Sequence, residues 1–233
     1  MLIYRKWRIF QLIGIKMEDF VVVRGIVLKH APAGDYDWVA TIFTAERGKI
    51  TAFARSARKP SAKLSGLVEP FCFGTFKLFA GKNSYTIVEA DIENYFEGFR
   101  TNLEGACYGT FFLELCSFYT RENNEDKDLL NLLYFSLKAL LKDNIPNRLV
   151  RCIFELRALL IEGEYPGIPV GQKLLESTRY TMEFITTSPI NKLFSFSLSD
   201  EVLEELDRIT KEYRNTYIDR PLKSLEMLET FEY

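Results

Sequence analysis

Residues 47–63, RGKITAFARSARKPSAK, carry Arg47, Lys49, Arg55, Arg58, Lys59 and Lys63 and no acid. Cations at this density can hold a phosphate backbone, because each phosphate they neutralise releases counterions to solution. Read as a strand, the first half puts Lys49, Thr51, Phe53 and Arg55 on one face and Ile50, Ala52 and Ala54 on the other. The second set can point into a core. The first then forms a basic outer face with one aromatic ring. Phe53, and nearby Phe71, Phe73 and Phe79, are candidate platforms for stacking bases. The segment Ser56–Gly66 reads as a loop whose cations are solvated and mobile, free to wrap a phosphate chain. The competing reading is a plain solvated loop beside phenylalanines that belong to the core.

Groups for covalent or metal chemistry are few. His30 is the single histidine, so a two-histidine metal site is excluded, and its place beside Pro32 at a strand end suits a structural role. Asp35 and Asp37 flank Tyr36 in GDYDW, where they read as turn residues, and a two-residue offset makes no metal cage. This leaves a metal-dependent nuclease reading without support. The acids Glu122, Glu125, Asp126 and Asp128 read as a solvated loop. There is no glycine-rich phosphate loop, G-x-S-x-G or H-E-x-x-H. The expectation is a binding protein with no catalytic residue, no metal and no cofactor.

The whole chain of 233 residues has 30 basic and 32 acidic side chains, net -2, which argues against a uniformly basic DNA coat. The balance is local. Residues 1–16 carry four bases and no acid, residues 17–98 ten of each, and residues 99–233 sixteen bases against 22 acids. No apolar run approaches the roughly 18 residues of a membrane span. The four cysteines, Cys72, Cys107, Cys116 and Cys152, form no C-x-x-C pair and read as reduced thiols of a cytoplasmic protein. Residues 1–16 resemble neither a signal peptide nor the rest of the chain. They read as a start assigned too early, with Met17 as the first residue, or as a short docking arm.

The elements that must position the basic stretch are β-type from Met17 to about residue 98. Runs at Val21–Lys29, Trp38–Thr44, Lys49–Arg55, Phe71–Phe79 and Ser84–Glu89 are separated by turn signals, and five short strands fit an oligonucleotide-binding-type (OB-type) β-barrel. From residue 99 the period becomes helical. Helices are expected from Leu103, Leu129 and Asn147, the last stopping at Gly163, then from Ser199 as an N-cap and from Pro221. Tyr180, Met182, Phe184 and then Leu193, Phe194, Phe196 and Leu198 alternate about Ser188-Pro189, which reads as a β-hairpin over about 178–198 inserted among the helices. The expected fold class is α+β: a barrel over 17–98 and a mainly helical domain over 99–233 with that hairpin.

Several segments in this order resemble the RecO recombination mediator family. Residues 25–71, GIVLKHAPAGDYDWVATIFTAERGKITAFARSARKPSAKLSGLVEPF, are similar to its strands, T-x-E-x-G-K hairpin and basic A-R-K-P loop. FFLELCSFY (111–119), RCIFELRALLIEGEYPGIP (151–169) and LKSLEMLE (222–229) resemble its helices. The resemblance implies binding to single- and double-stranded DNA, strand annealing and recombinational repair in the bacterial cytoplasm, at the nucleoid. It implies RecR and the acidic C-terminal tail of the single-stranded-DNA-binding protein as partners, and through them loading of RecA. Mapped onto this chain, Arg47, Lys49, Arg55, Arg58, Lys59 and Lys63 fall where DNA contact is expected. Arg148, Arg151 and Arg157, beside Phe154, are candidates for the acidic tail. Many family members carry C-x-x-C pairs for zinc after the Gly-Tyr-x-Pro turn. Here Gly167–Lys173 has none, and the 178–198 aromatics are expected to pack in the metal's place. The alternative function is an OB-fold interaction scaffold that does not bind nucleic acid.

Overall fold

The computed structural model describes residues 20–82 and 84–229, so the reading of residues 1–16 lies outside it. The described chain forms two compact units: residues up to Tyr95 together with Thr120–Asp126, and Phe96–Tyr119 together with the residues from Lys127 onward.

The first unit is a closed barrel of β1 (Phe20–Ala33), β2 (Asp37–Thr44), β3 (Gly48–Ala54), β4 (Phe73–Ala80) and β5 (Tyr85–Asn94), in the order β1-β2-β3-β5-β4. Closure depends on β1, which is long enough to pair with β4 over Phe20–Ile26 and with β2 over Gly25–Ala33. The hand-over falls at Gly25, which pairs with both Thr44 and Gly74. A Cβ there would lie 2.2 Å from the Phe43 carbonyl oxygen, so no larger residue fits. The alternation read for β3 holds: Ile50, Ala52 and Ala54 are buried with Val23, Val27, Ile42, Phe76, Leu78 and Ile87.

β3 meets β5 in parallel only at Ala52 and Phe53. The edge of its first half is instead covered by Thr120–Asp126, which lies between two helices in sequence but belongs to the barrel unit. The Lys49 amide donates to the Arg121 carbonyl (3.1 Å) and the Asn123 amide to the Arg47 carbonyl (2.9 Å). Gly48 makes this possible twice over. Its φ is +60°, and an added Cβ would sit 2.0 Å from the Arg121 oxygen.

The second unit contains α1 (Leu103–Tyr119), α2 (Lys127–Ala139), α3 (Asn147–Ile161), α4 (Glu176–Thr187), α5 (Asp200–Tyr217) and α6 (Lys223–Glu229). α3 is central, packing on α1, α2, α4 and α5. It is therefore buried nearly all round, from Leu149 to Leu159 with Arg157 half-buried. Ser199 occupies the N-cap position of α5, but its side chain makes no capping bond. α6 is capped from outside: Glu114 on α1 accepts from the Lys223 amide (3.2 Å), the Ser224 amide (2.8 Å) and the Ser224 hydroxyl (2.5 Å). No helix among the described residues is long and apolar enough to cross a membrane.

The expected hairpin over 178–198 is not there. Glu176–Thr187 is α4 and Ile190–Lys192 a turn of 3-10 helix. The buried residues Thr178, Thr181, Met182 and Ile185 follow helical spacing, and two of them are polar, so the apolar alternation at 180, 182 and 184 dominated the pattern. Of the two, the Thr181 hydroxyl donates back to the Ser177 carbonyl at 2.8 Å, whereas the buried Thr178 hydroxyl has no hydrogen-bond partner among the described residues. Ser188-Pro189 then ends the helix. Of the aromatics expected to pack here, Phe184 and Phe196 meet edge-on at 5.2 Å, whereas Tyr180 is 69% exposed. The two registers separate cleanly by mutation. A hairpin puts residues 180 and 182 on one face, but the helix predicts that Met182→Ala costs about 2–5 kcal/mol and Tyr180→Ala less than about 0.5 kcal/mol. Urea unfolding of both variants is the check.

Candidate nucleic-acid interface

The basic stretch begins with Arg47 in the β2–β3 turn, runs along β3 and continues through residues 55–72 as a series of turns. Its sequence is Ser-, Ala- and Pro-rich, yet it is not loose. Ala57, Leu64, Val68 and Cys72 are buried in the barrel core. Both ends are residues with positive φ, Ser56 (56°) and Phe71 (72°). A non-glycine residue in that region costs of order 1 kcal/mol unless its surroundings hold it. They do. The Ser56 amide donates to Asp37 Oδ1 at 2.7 Å. At the exit, the Phe71 amide donates to the Val27 carbonyl and the Val27 amide to the Cys72 carbonyl, each at 3.0 Å. These bonds continue the β1–β4 ladder by one residue beyond its last pair, Ile26 with Phe73.

The expected solvated, mobile cations are accordingly corrected: they are exposed but seated. Arg55 Nη1 lies 2.8 Å from Asp37 Oδ2, and its guanidinium 5.1 Å from the Phe53 ring. Arg58 Nη1 donates to the carbonyls of Gly34 and Asp35, 3.2 Å each, and its guanidinium sits 5.3 Å from the Trp38 ring. Lys59 Nζ is 4.4 Å from the Tyr36 ring, and Lys63 Nζ 2.7 Å from Glu89. Arg47 Nη1 reaches the Tyr85 hydroxyl at 3.4 Å. The loop is thus fastened to the β1–β2 turn, residues 34–37, largely through aromatic faces and backbone carbonyls. Arg58 and Lys59 sit on neutral groups, whereas Arg55 and Lys63 each meet a carboxylate. The side chains of Arg55 and Lys63 remain 65% and 67% exposed.

Asp37 is the hub. Hydrogen bonds from the Ser56 amide and then from Arg55 hold its carboxyl below the usual range, with Lys59 adding to the field. His30, the lone histidine, is structural in its surroundings. It stacks on Trp38 at 4.0 Å with rings nearly parallel, and Nδ1 lies 3.2 Å from the Val68 carbonyl. Among the four phenylalanines considered as platforms, Phe73 is buried, while Phe79 is half-buried and meets Phe20 edge-on at 5.7 Å. Phe53 faces outward, as the alternation requires. The outer face of β5 is of opposite sign: Glu89, Asp91 and Glu93 are all exposed. Lys63 and Arg24 answer two of them, at 2.7 and 2.6 Å.

The four residues considered for an acidic peptide fare differently. Arg151 is wholly buried and pairs with Asp207 on α5, and Phe154 is buried against Phe112 at 4.1 Å. Arg157 donates to the carbonyls of Ile185, Thr186 and Ser188, closing the end of α4. Arg148 keeps 37% of its side chain exposed but also pairs with Asp207 at 2.6 Å. Spacing on an isolated helix gave no sign that α3 is covered on every side. Among the described residues no three His, Cys, Asp or Glu side chains gather as a metal site.

Comparison with known proteins bears on both units. The family profile described as Recombination protein O N terminal matches residues 17–96. The one described as Recombination protein O C terminal matches residues 100–168 and 167–226. The chain belongs to the RecO family. A DNA repair protein RecO of Acetivibrio thermocellus is 27% identical over 92% of this chain and 98% of its own length. Those of Clostridium perfringens strain 13 and Alkaliphilus metalliredigens are 27% and 26% identical over 88% and 91% of the chain. RecO membership makes DNA repair and recombination the work of this chain, and the OB-type barrel followed by helices agrees with it.

The Asp37 anchor has a measurable signature. A carboxylate whose folded pKa lies below its unfolded value stabilises the fold above the ordinary value of about 4, and that contribution fades as pH falls through the lowered one. In an NMR titration the Ser56 amide shift should follow Asp37 with a midpoint below about 4. In Arg55→Gln the midpoint should rise.

Proposed function

We propose that this RecO-family chain is a DNA-binding recombination mediator. It binds single- and double-stranded DNA through β3 and the 55–72 loop, anneals complementary strands, and hands DNA on without covalent chemistry of its own. With RecR and the acidic C-terminal tail of the single-stranded-DNA-binding protein as partners, it helps RecA load onto coated DNA. The observation that carries the reading is the seating of Arg58 on the Gly34 and Asp35 carbonyls and the Trp38 ring and of Lys59 on the Tyr36 ring, with Arg55 beside them on Phe53 and Asp37. Among the described residues, only Arg55 of the three has a carboxylate partner at ion-pair distance, Asp37. Cations held in place by neutral groups keep their charge for an incoming polyanion and lose little freedom when it arrives. The acids exposed along β5 favour a phosphate path on the β3 and loop side. An acidic tail would meet Arg148 rather than Arg151 or Phe154, which are core.

The test is a salt titration of DNA binding. Reversing Arg55, Arg58 and Lys59 to Glu should weaken binding to any sequence. It should also lower the slope of log affinity against log salt by about 2–3 on duplex DNA. Weakened binding with an unchanged slope would place the phosphate contacts elsewhere. Absence of binding by the wild-type chain at low salt would favour an interaction scaffold.

A further inference from the structure

We propose that Tyr36 and Phe53 form a stacking site for unpaired DNA bases, shielded in the free protein by Lys59 and Arg55. The inference deepens the DNA-binding reading and rests on it. Tyr36 stands at the β1–β2 turn with 54% of its surface exposed and Lys59 Nζ 4.4 Å from its ring centre. Phe53 points outward from β3 with the Arg55 guanidinium 5.1 Å from its ring. The two rings belong to one corner of the barrel: Asp37, which follows Tyr36, pairs at 2.8 Å with Arg55, two residues beyond Phe53.

The turn carrying Tyr36 is fixed from several sides. The Arg58 amide donates to the Tyr36 carbonyl at 2.9 Å, and the Arg58 side chain holds the carbonyls of Gly34 and Asp35. A large ring on a rigid, exposed turn adds nothing to the barrel core and loses little freedom on binding. Trp38, the remaining aromatic of this corner, is already occupied by its stack on His30 and by Arg58. Its role is to position the loop.

The shield is exchangeable. An exposed cation–π contact is a weak electrostatic attraction, and a phosphate offers the cation a full negative charge. A single strand presents a base and a phosphate together. The base takes the ring face, the phosphate takes the ammonium or guanidinium, and the Ser56–Asp37 anchor keeps the backbone in place. A duplex keeps its bases stacked within itself and offers phosphates alone. The cations thus serve both kinds of DNA, and the rings distinguish the single strand.

Anisotropy with a labelled oligothymidine and with a blunt duplex of equal phosphate number separates the parts. Tyr36→Leu should weaken oligothymidine binding about tenfold and duplex binding far less, the duplex losing only the seating of Lys59, with both salt slopes as in the wild type. Phe53→Leu should act in the same direction, and Tyr36→Phe should bind like the wild type. Equal losses on the two DNAs, or no loss on either, would overturn the stacking site. Failure of the wild-type chain to bind either DNA would overturn the DNA-binding reading beneath it.

Discussion

One carboxylate sets the geometry of the basic face. Asp37 begins β2 and accepts from the Ser56 amide and from Arg55, so the chain just after β3 is tied to the first residue of its neighbour strand. Ser56 can then hold a positive φ, and the chain leaves the barrel in the direction that buries Ala57, Leu64 and Val68. Arg58 and Lys59 fall over Trp38 and Tyr36 as a consequence of that path. A loop of this composition without such an anchor would scatter its cations. With it, Arg58 and Lys59 are presented on neutral groups beside Arg55.

The helical unit solves a different problem with the same chemistry. α3 is covered on nearly every side, and it carries Arg151 and Glu155 inward. Asp207 on α5 pairs with Arg151, Arg148 and Lys211, and Glu155 pairs with Arg214 at 2.6 Å. Removing one member of such a group strands its partner out of water, which typically costs several kcal/mol, so the network fixes how α3 and α5 pack. The cations at its rim, Arg148 and Lys211, stay partly exposed at 37% and 39%. Asp207 and Glu155 thus gather four bases at one point of a domain that is acidic as a whole.

Most of the barrel was legible in the sequence because its core is simple. Ile50, Ala52 and Ala54 alternate with Lys49, Thr51 and Phe53, and the turn residues between runs mark the strand ends. The helices α2, α3 and α5 were equally plain from their periodicity, and α1, buried on most sides, from its apolar length. What escaped had a physical reason each time. α4 hides its period because threonines occupy the buried face. The 120–126 segment docks through main-chain hydrogen bonds, which leave no trace in residue type. The loop looked mobile because its four buried residues, Ala57, Leu64, Val68 and Cys72, are spaced far apart among small and charged ones. Arg151 looked like surface because an i,i+4 pair with Glu155 reads the same on an exposed helix as on a buried one.

The central claim is that DNA affinity at this face comes from cations held in place, not from charge alone. Asp37→Ala separates the two, because it raises the net charge of the face by one while releasing Ser56 and Arg55. Simple electrostatics predicts tighter binding to single-stranded DNA. The anchored array predicts weaker binding, by several-fold at low salt, with the fold intact by thermal melting. Binding that is unchanged or tightened in Asp37→Ala would contradict the account.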